Sequence, residues 1–217
     1  GGFTWSKDKE GRDWIAVSCE GEGARIWWPN KDHITAEGDS VRMVYTVPSN
    51  MVAVGNGTLR NVITNDDKST YEWFVSNPIN NYNISVQIGN YVAVQDTFIK
   101  DDTIHNMNHY VLDYNKEIAS NYFTQSKEII RFYEKYFGDY QWYEDGYKLI
   151  EVPYLGMEHQ SAVTYGNGFS IYNGVRSKSW PMYGVIDPLI IHETGHEWFG
   201  NSVTASDPTH IWIHEGL

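Results

Sequence analysis

Two histidines four residues apart with a glutamate beside the first, His192-Glu193-x-x-His196, are the part of this sequence best suited to chemistry. On a helix such a pair shares one face, one turn above the other, so both imidazoles reach a single metal ion. Glu193 is rotated from them by about 100° of helix, close enough to address a water on the metal without displacing it. By chance alone, H-E-x-x-H should arise in roughly 2% of sequences of this composition. A catalytic zinc takes a third protein ligand and leaves one position to water. Glu215, nineteen residues after His196, can supply that ligand. Requiring it as well lowers the coincidence to roughly 0.1%. The expected site is therefore one Zn2+ held by His192, His196 and Glu215, with Glu193 as general base.

One competing arrangement fails on the residues and a second fits them less well. A zinc protease of the H-E-x-x-H-x-x-G-x-x-H type needs glycine and histidine where Phe199 and Ser202 stand. His210 and His214 are also four apart, but nothing around them supplies a base, and both are expected as partly exposed polar positions.

The elements that must carry these residues show start and stop signals. Asp187-Pro188 precedes the histidine motif and Asp207-Pro208 precedes the Glu215 segment, each an N-cap followed by proline at the first helical position. Gly200-Asn201 between them supplies a helix end. Upstream, apolar residues at near-helical spacing predict one helix over 115–137, stopped by Gly138. Segments 147–155 and 161–172 read as strands. The first hundred residues read as antiparallel sheet: runs such as 41–48, 71–76 and 82–95 are rich in β-branched and aromatic residues and separated by turn signals. The character changes near 97–104, which is the expected domain boundary.

Composition narrows the alternatives. The 217 residues carry 16 Lys and Arg against 28 Asp and Glu, a net charge of −12 that argues against a nucleic-acid partner or a polybasic membrane surface. Hydrophobic content of 41% is enough for a buried core. No apolar run reaches the length of a membrane span. The single cysteine, Cys19, allows neither an internal disulfide nor a Cys-rich zinc site. Asn56-Gly57-Thr58 and Asn83-Ile84-Ser85 fit the N-glycosylation pattern. Oligomeric state is not legible.

The closing stretch, HETGHEWFGNSVT followed by WIHEGL, closely resembles the gluzincin zinc aminopeptidases of the M1 family, with H-E-x-x-H, eighteen residues, then Glu. The segment Leu155-Gly156-Met157-Glu158-His159 is similar to that family's G-x-M-E-N strand, although Leu155 and His159 replace its first Gly and its Asn. Residues 1–32 resemble a third family stretch more faintly, with Glu20 on its glutamate and Ala24-Arg25 on its Ala-Arg pair. The resemblance implies an α+β fold: residues 1–99 as the later part of an antiparallel β-rich N-terminal domain, and 100–217 as the first part of a thermolysin-like zinc peptidase domain. It implies hydrolysis of the N-terminal residue from peptides with a free N-terminus. Glu158 and Glu20 would bind the substrate amine, with Gly156 and Met157 along its backbone. An oxyanion-stabilising tyrosine would lie beyond Leu217, so the chain is expected to be a fragment. The other reading is a non-catalytic β-rich binding module with a vestigial metal site.

Overall fold

The computed structural model describes residues 1–20, 23–170 and 186–216. Its first half is antiparallel sheet, as the alternation of apolar and polar residues demands. One sheet of four strands runs Gly2–Lys7, Asp13–Ser18, Val86–Gly89, Val52–Gly55 in spatial order. A second has Val41–Pro48 and Thr58–Asn65 on either side of Lys68–Val75. The turn signal over 65–69 acts as expected, joining Thr58–Asn65 to Lys68–Val75 as a hairpin. Thr97–Lys100 and Thr103–Asn106 form a hairpin across Asp101-Asp102, both with positive φ (47° and 60°), the geometry of a tight hairpin turn that aspartate tolerates.

The sheet that positions the site has five strands, in the order Tyr91–Val94, His109–Leu112, Leu149–Glu151, Val163–Tyr165, Gly156–Met157. The three inner strands run parallel, and both edge strands are antiparallel to their neighbours. Leu149, Ile150 and Val163 are wholly buried, as parallel strands covered on both faces require. On one side lies the core of Phe123, Ile129, Ile130, Leu189 and Ile190, which glues two helical segments to the sheet. On the other, Met43, Val54, Trp73 and Ile79 join it to the β-rich part. Antiparallel sheets with a few helices make an α+β fold, as expected. The five-stranded sheet takes its first strand from residues before 97–104, so it reaches across the expected boundary.

Several elements differ from the sequence expectation. The helix over 115–137 is two helices, Lys116–Tyr122 and Gln125–Phe137. At the break the Thr124 hydroxyl donates to Asn121 O and the Ser126 hydroxyl to Phe123 O, both at 2.6 Å, so side chains compete for carbonyls that an unbroken helix would use. The strand expected over 147–155 pairs only at Leu149–Glu151, and Gly156–Met157 is a separate strand on the far edge. Of 161–172, only Val163–Tyr165 is strand, and 171–172 lie outside the described residues. At the start of 82–95, Asn81–Asn83 forms a 3-10 turn. Asn56 and Asn83 are fully buried and hydrogen-bonded, so neither glycosylation pattern offers an acceptor in this fold. No helix among the described residues is long and apolar enough to cross a membrane.

Candidate metal centre

The histidine helix, Pro188–Gly195, starts where the sequence places it. The Asp187 carboxylate accepts the Leu189 N–H at 2.9 Å, with Pro188 in the first turn. The cap is itself held. Asp187 is fully buried, and the hydroxyls of Tyr122 (2.8 Å) and Tyr165 (2.9 Å) donate to it. The helix therefore leaves the sheet at a fixed angle, with His192 inside it and His196 as its C-cap.

Glu215 sits on a separate short helix, Trp212–Glu215, after a 3-10 turn that Asp207 caps by accepting the Thr209 N–H. The two elements bring three donors together. His192 Nε2 and His196 Nε2 are 3.2 Å apart; Glu215 Oε2 is 3.4 Å from the first, and Glu215 Oε1 is 3.7 Å from the second. A tetrahedron with zinc–ligand bonds of roughly 2.0–2.1 Å has edges of about 3.3–3.4 Å, so these donors fit one zinc ion. His196 Nδ1 lies 3.0 Å from Phe199 O; donating there leaves Nε2 with the lone pair a metal needs. His192 is held toward its neutral form by burial first and by His196 second, against the opposing pull of Glu215.

Glu193 is buried, and its carboxylate is close to the edge strand carrying the second motif. A Cβ on Gly156 would lie 2.5 Å from Glu193 Oε1 and 3.0 Å from Leu189 Cδ1. Only glycine lets strand and carboxylate approach so closely. Two residues on, Glu158 is 3% exposed, and its Oε1 has no hydrogen-bond partner among the described residues. Met157 between them is buried in the core that backs this wall.

Glu20, Glu158 and Glu215 each offer a carboxylate oxygen within 4.8 Å of the others, and Glu158, Glu193 and His196 form an overlapping group of the same tightness. Crowded carboxylates resist ionisation. Burial, followed by Glu20 and Glu215, pushes Glu158 up to about 8. Burial again comes first for Glu193, which is pushed well up, with Glu158, Glu215 and Glu20 adding repulsion. Glu20 is also raised, by desolvation and then by Glu215. A wall of this kind is built for positive charge: a divalent ion and an ammonium group would both relieve the repulsion.

Every site residue expected from the sequence thus lies around one locus. Glu20 is exposed and Glu158 buried, so the pair facing the locus is one exposed and one buried carboxylate. One expectation needs correcting. His214 is buried instead of partly exposed; its Nε2 accepts the Ala205 N–H at 2.9 Å and moors the Glu215 helix to the chain that follows the histidine motif. His210 is exposed, as expected. Glu197 and Asn201, to which the sequence reading gave no role at the site, are buried against the turn after Glu158.

Known proteins resemble this chain in sequence and in fold. Residues 121–217 match the family model described as "Peptidase family M1 domain". The chain is 28% identical over its whole length to tricorn protease-interacting factor F2 of Thermoplasma volcanium, covering 26% of that protein. It is 24% identical to the leucyl aminopeptidase of Saccharolobus solfataricus, covering 94% of this chain and 25% of the relative. Transcription initiation factor TFIID subunit 2 of Drosophila melanogaster is 25% identical over 93% of the chain, which spans 16% of it. The fold is that of an M1 zinc metallopeptidase from Deinococcus radiodurans, with a TM-score of 0.73 at 17% identity over 98% of this chain and 45% of that one. The chain therefore spans about a quarter or less of these curated relatives and under half of the solved structure. The family model lies over the histidine motif and Glu215, and the solved fold over nearly all of the chain, so the chain resembles the M1 peptidases in both sequence and fold.

Proposed function

We propose that the protein carrying this chain is a zinc-dependent aminopeptidase that removes the N-terminal residue from peptides with a free N-terminus. The observation that carries the reading is the spacing of His192 Nε2, His196 Nε2 and Glu215, at 3.2, 3.4 and 3.7 Å, beside a buried glutamate that is not one of the three. When bound there, zinc supplies a Lewis acid that polarises the scissile carbonyl and acidifies water. Glu193 takes the proton of the attacking water and passes it to the leaving amine. Its raised proton affinity suits that exchange, and a cation beside it would lower that affinity.

Glu158 and Glu20 make the enzyme an exopeptidase. The unpartnered Glu158 Oε1 accepts from the substrate's α-ammonium at the buried end, and Glu20 meets the same group from the exposed side. An internal peptide segment brings no cation, and leaving such a carboxylate unmatched costs on the order of 1–3 kcal/mol. Binding at the amine also fixes which carbonyl meets the metal. Leucyl aminopeptidase among the relatives supports this class of substrate. The zinc-loaded protein should hydrolyse aminoacyl-nitroanilides and leave their N-acetylated counterparts intact. Equal cleavage of both would end the aminopeptidase reading. Absence of both zinc and hydrolysis would favour the non-catalytic binding module.

A further inference from the structure

The turn after Glu158 is held at almost every backbone polar group. Glu158 O accepts from Asn201 Nδ2 at 2.9 Å, Gln160 N–H donates to Asn83 Oδ1 at 3.2 Å, and Gln160 O accepts from Asn56 Nδ2 at 2.8 Å. Ser161 N–H donates to Glu197 Oε1 at 2.8 Å, Ser161 O accepts from Lys148 Nζ at 2.7 Å, and Ser161 Oγ accepts from Gly57 N–H at 2.9 Å. Ser161 has φ of 56°, a left-handed conformation that a non-glycine residue keeps only where its surroundings impose it. Three partners on one residue do so here.

Two of these partners ride on the metal-binding arm. Glu197 follows His196 directly, its N–H donating to Thr194 O at 3.1 Å, and the Asn201 N–H donates to His196 O at 2.9 Å. Asn201 Nδ2 also donates to Glu197 Oε2 at 3.1 Å, and Asn201 Oδ1 accepts from Asn83 Nδ2 at 2.9 Å. Glu197 is 1% exposed and Asn201 5%. Neither residue is needed to hold a metal or accept a proton, yet together they grip the carbonyl of Glu158 and the amide three residues beyond it.

We propose that Glu197 and Asn201 are positioning residues: a buried clamp that sets where Glu158 stands relative to the His192–His196 pair, and so how well the site recognises a substrate amine. The inference rests on the aminopeptidase reading and extends it to residues that touch neither metal nor substrate. Asn201→Asp is the sharpest variant. It keeps the size and the acceptor for Asn83, but puts an oxygen where the donor to Glu158 O and Glu197 Oε2 stood. Loosening the clamp should let Glu158 drift while His192, His196 and Glu215 still hold zinc.

The test uses the zinc-loaded full-length protein and two probes that differ only in the amine, alanine hydroxamate and propionohydroxamate. The ratio of their inhibition constants reports amine recognition, and the second constant alone reports the grip on zinc. Asn201→Asp should narrow the ratio about tenfold, the size of one well-placed hydrogen bond to a charged group. Zinc content and propionohydroxamate affinity should stay within about twofold, the margin of a variant that leaves the metal ligands in place. Glu197→Gln, which keeps the shape and gives up one carboxylate acceptor, should narrow the ratio in the same direction and decides the matter if Asn201→Asp fails to fold. An unchanged ratio in the folded variants, or parallel weakening of both probes with loss of zinc, overturns the clamp. If the unmutated protein does not distinguish the probes, the aminopeptidase reading falls and the clamp's purpose with it.

Discussion

Glu158 and Glu215 face the same locus from two walls that are built differently. Glu158 directly follows the edge strand Gly156–Met157, is 3% exposed, and begins a turn whose backbone is hydrogen-bonded to five side chains. Glu215 closes a four-residue helix, and its side chain is 41% exposed. That helix is too short to be stable by itself, and a buried hydrogen bond from Ala205 N–H to His214 moors it. The difference teaches where order comes from. On the proposed function, the Glu158 wall is preorganised by the core, whereas the Glu215 wall would gain order on binding a metal, because site formation and local folding share one free energy.

Changes to the preorganised wall should therefore cost chemistry and leave zinc in place. Gly156→Ala puts a methyl 2.5 Å from Glu193 Oε1, so the carboxylate or the strand must move. Displacement of a reacting group by about 1 Å costs roughly 10²-fold in rate. Turnover of aminoacyl-nitroanilides should fall by about that factor, with zinc content unchanged by elemental analysis. Loss of zinc in this variant would erase the distinction between the walls.

Changes to the moored wall should do the reverse. His214→Ala removes the contact with the Ala205 N–H and frees the Glu215 helix. Zinc affinity, measured by competition with a chelator, should weaken about 10-fold, the low end for a residue that orients a ligand. At saturating zinc the turnover should return to within about threefold of the unmutated enzyme, since metal binding restores the order. A loss of turnover that zinc cannot restore would show that this wall, too, is set by packing alone.

The smallest effect concerns the core beneath both walls. His109 is fully buried, accepts the Leu149 N–H on Nδ1 at 2.9 Å, and is pushed down to about 3, chiefly by burial. Because its value in the folded chain lies below the unfolded value of 6.5, its contribution to stability is complete above pH 6.5 and is lost as pH falls toward 3. The slope is about 1.4 kcal/mol per pH unit for one such group. His109→Asn keeps an acceptor for Leu149 and removes the proton, so denaturant midpoints should fall less steeply between pH 6.5 and 5 than in the unmutated protein. Identical slopes would mean that His109 carries no such burden.

What the sequence revealed follows from the range of the interactions involved. The histidine helix was legible because its cap, proline and metal spacing are all local, within Asp187 to His196. The hairpin turns were legible for the same reason. The break at 123–124 was hidden because an apolar repeat at helical spacing continues through it, while the competing hydroxyls of Thr124 and Ser126 carry no periodic signal. His214 read as a polar surface residue because its partner Ala205 lies across a turn that no pattern predicts. The clamp is the extreme case. Asn201 reaches residues 43 and 118 positions away, so its role exists only in three dimensions.

The central claim is that His192, His196 and Glu215 hold zinc while Glu193 moves protons beside it. Zinc content and turnover measured side by side for Glu193→Gln and His196→Ala test it most directly. Glu193→Gln should keep about one zinc per chain and lose roughly 10²–10⁴ in turnover; His196→Ala should lose both. Loss of zinc from Glu193→Gln, or full zinc in His196→Ala, would contradict the account.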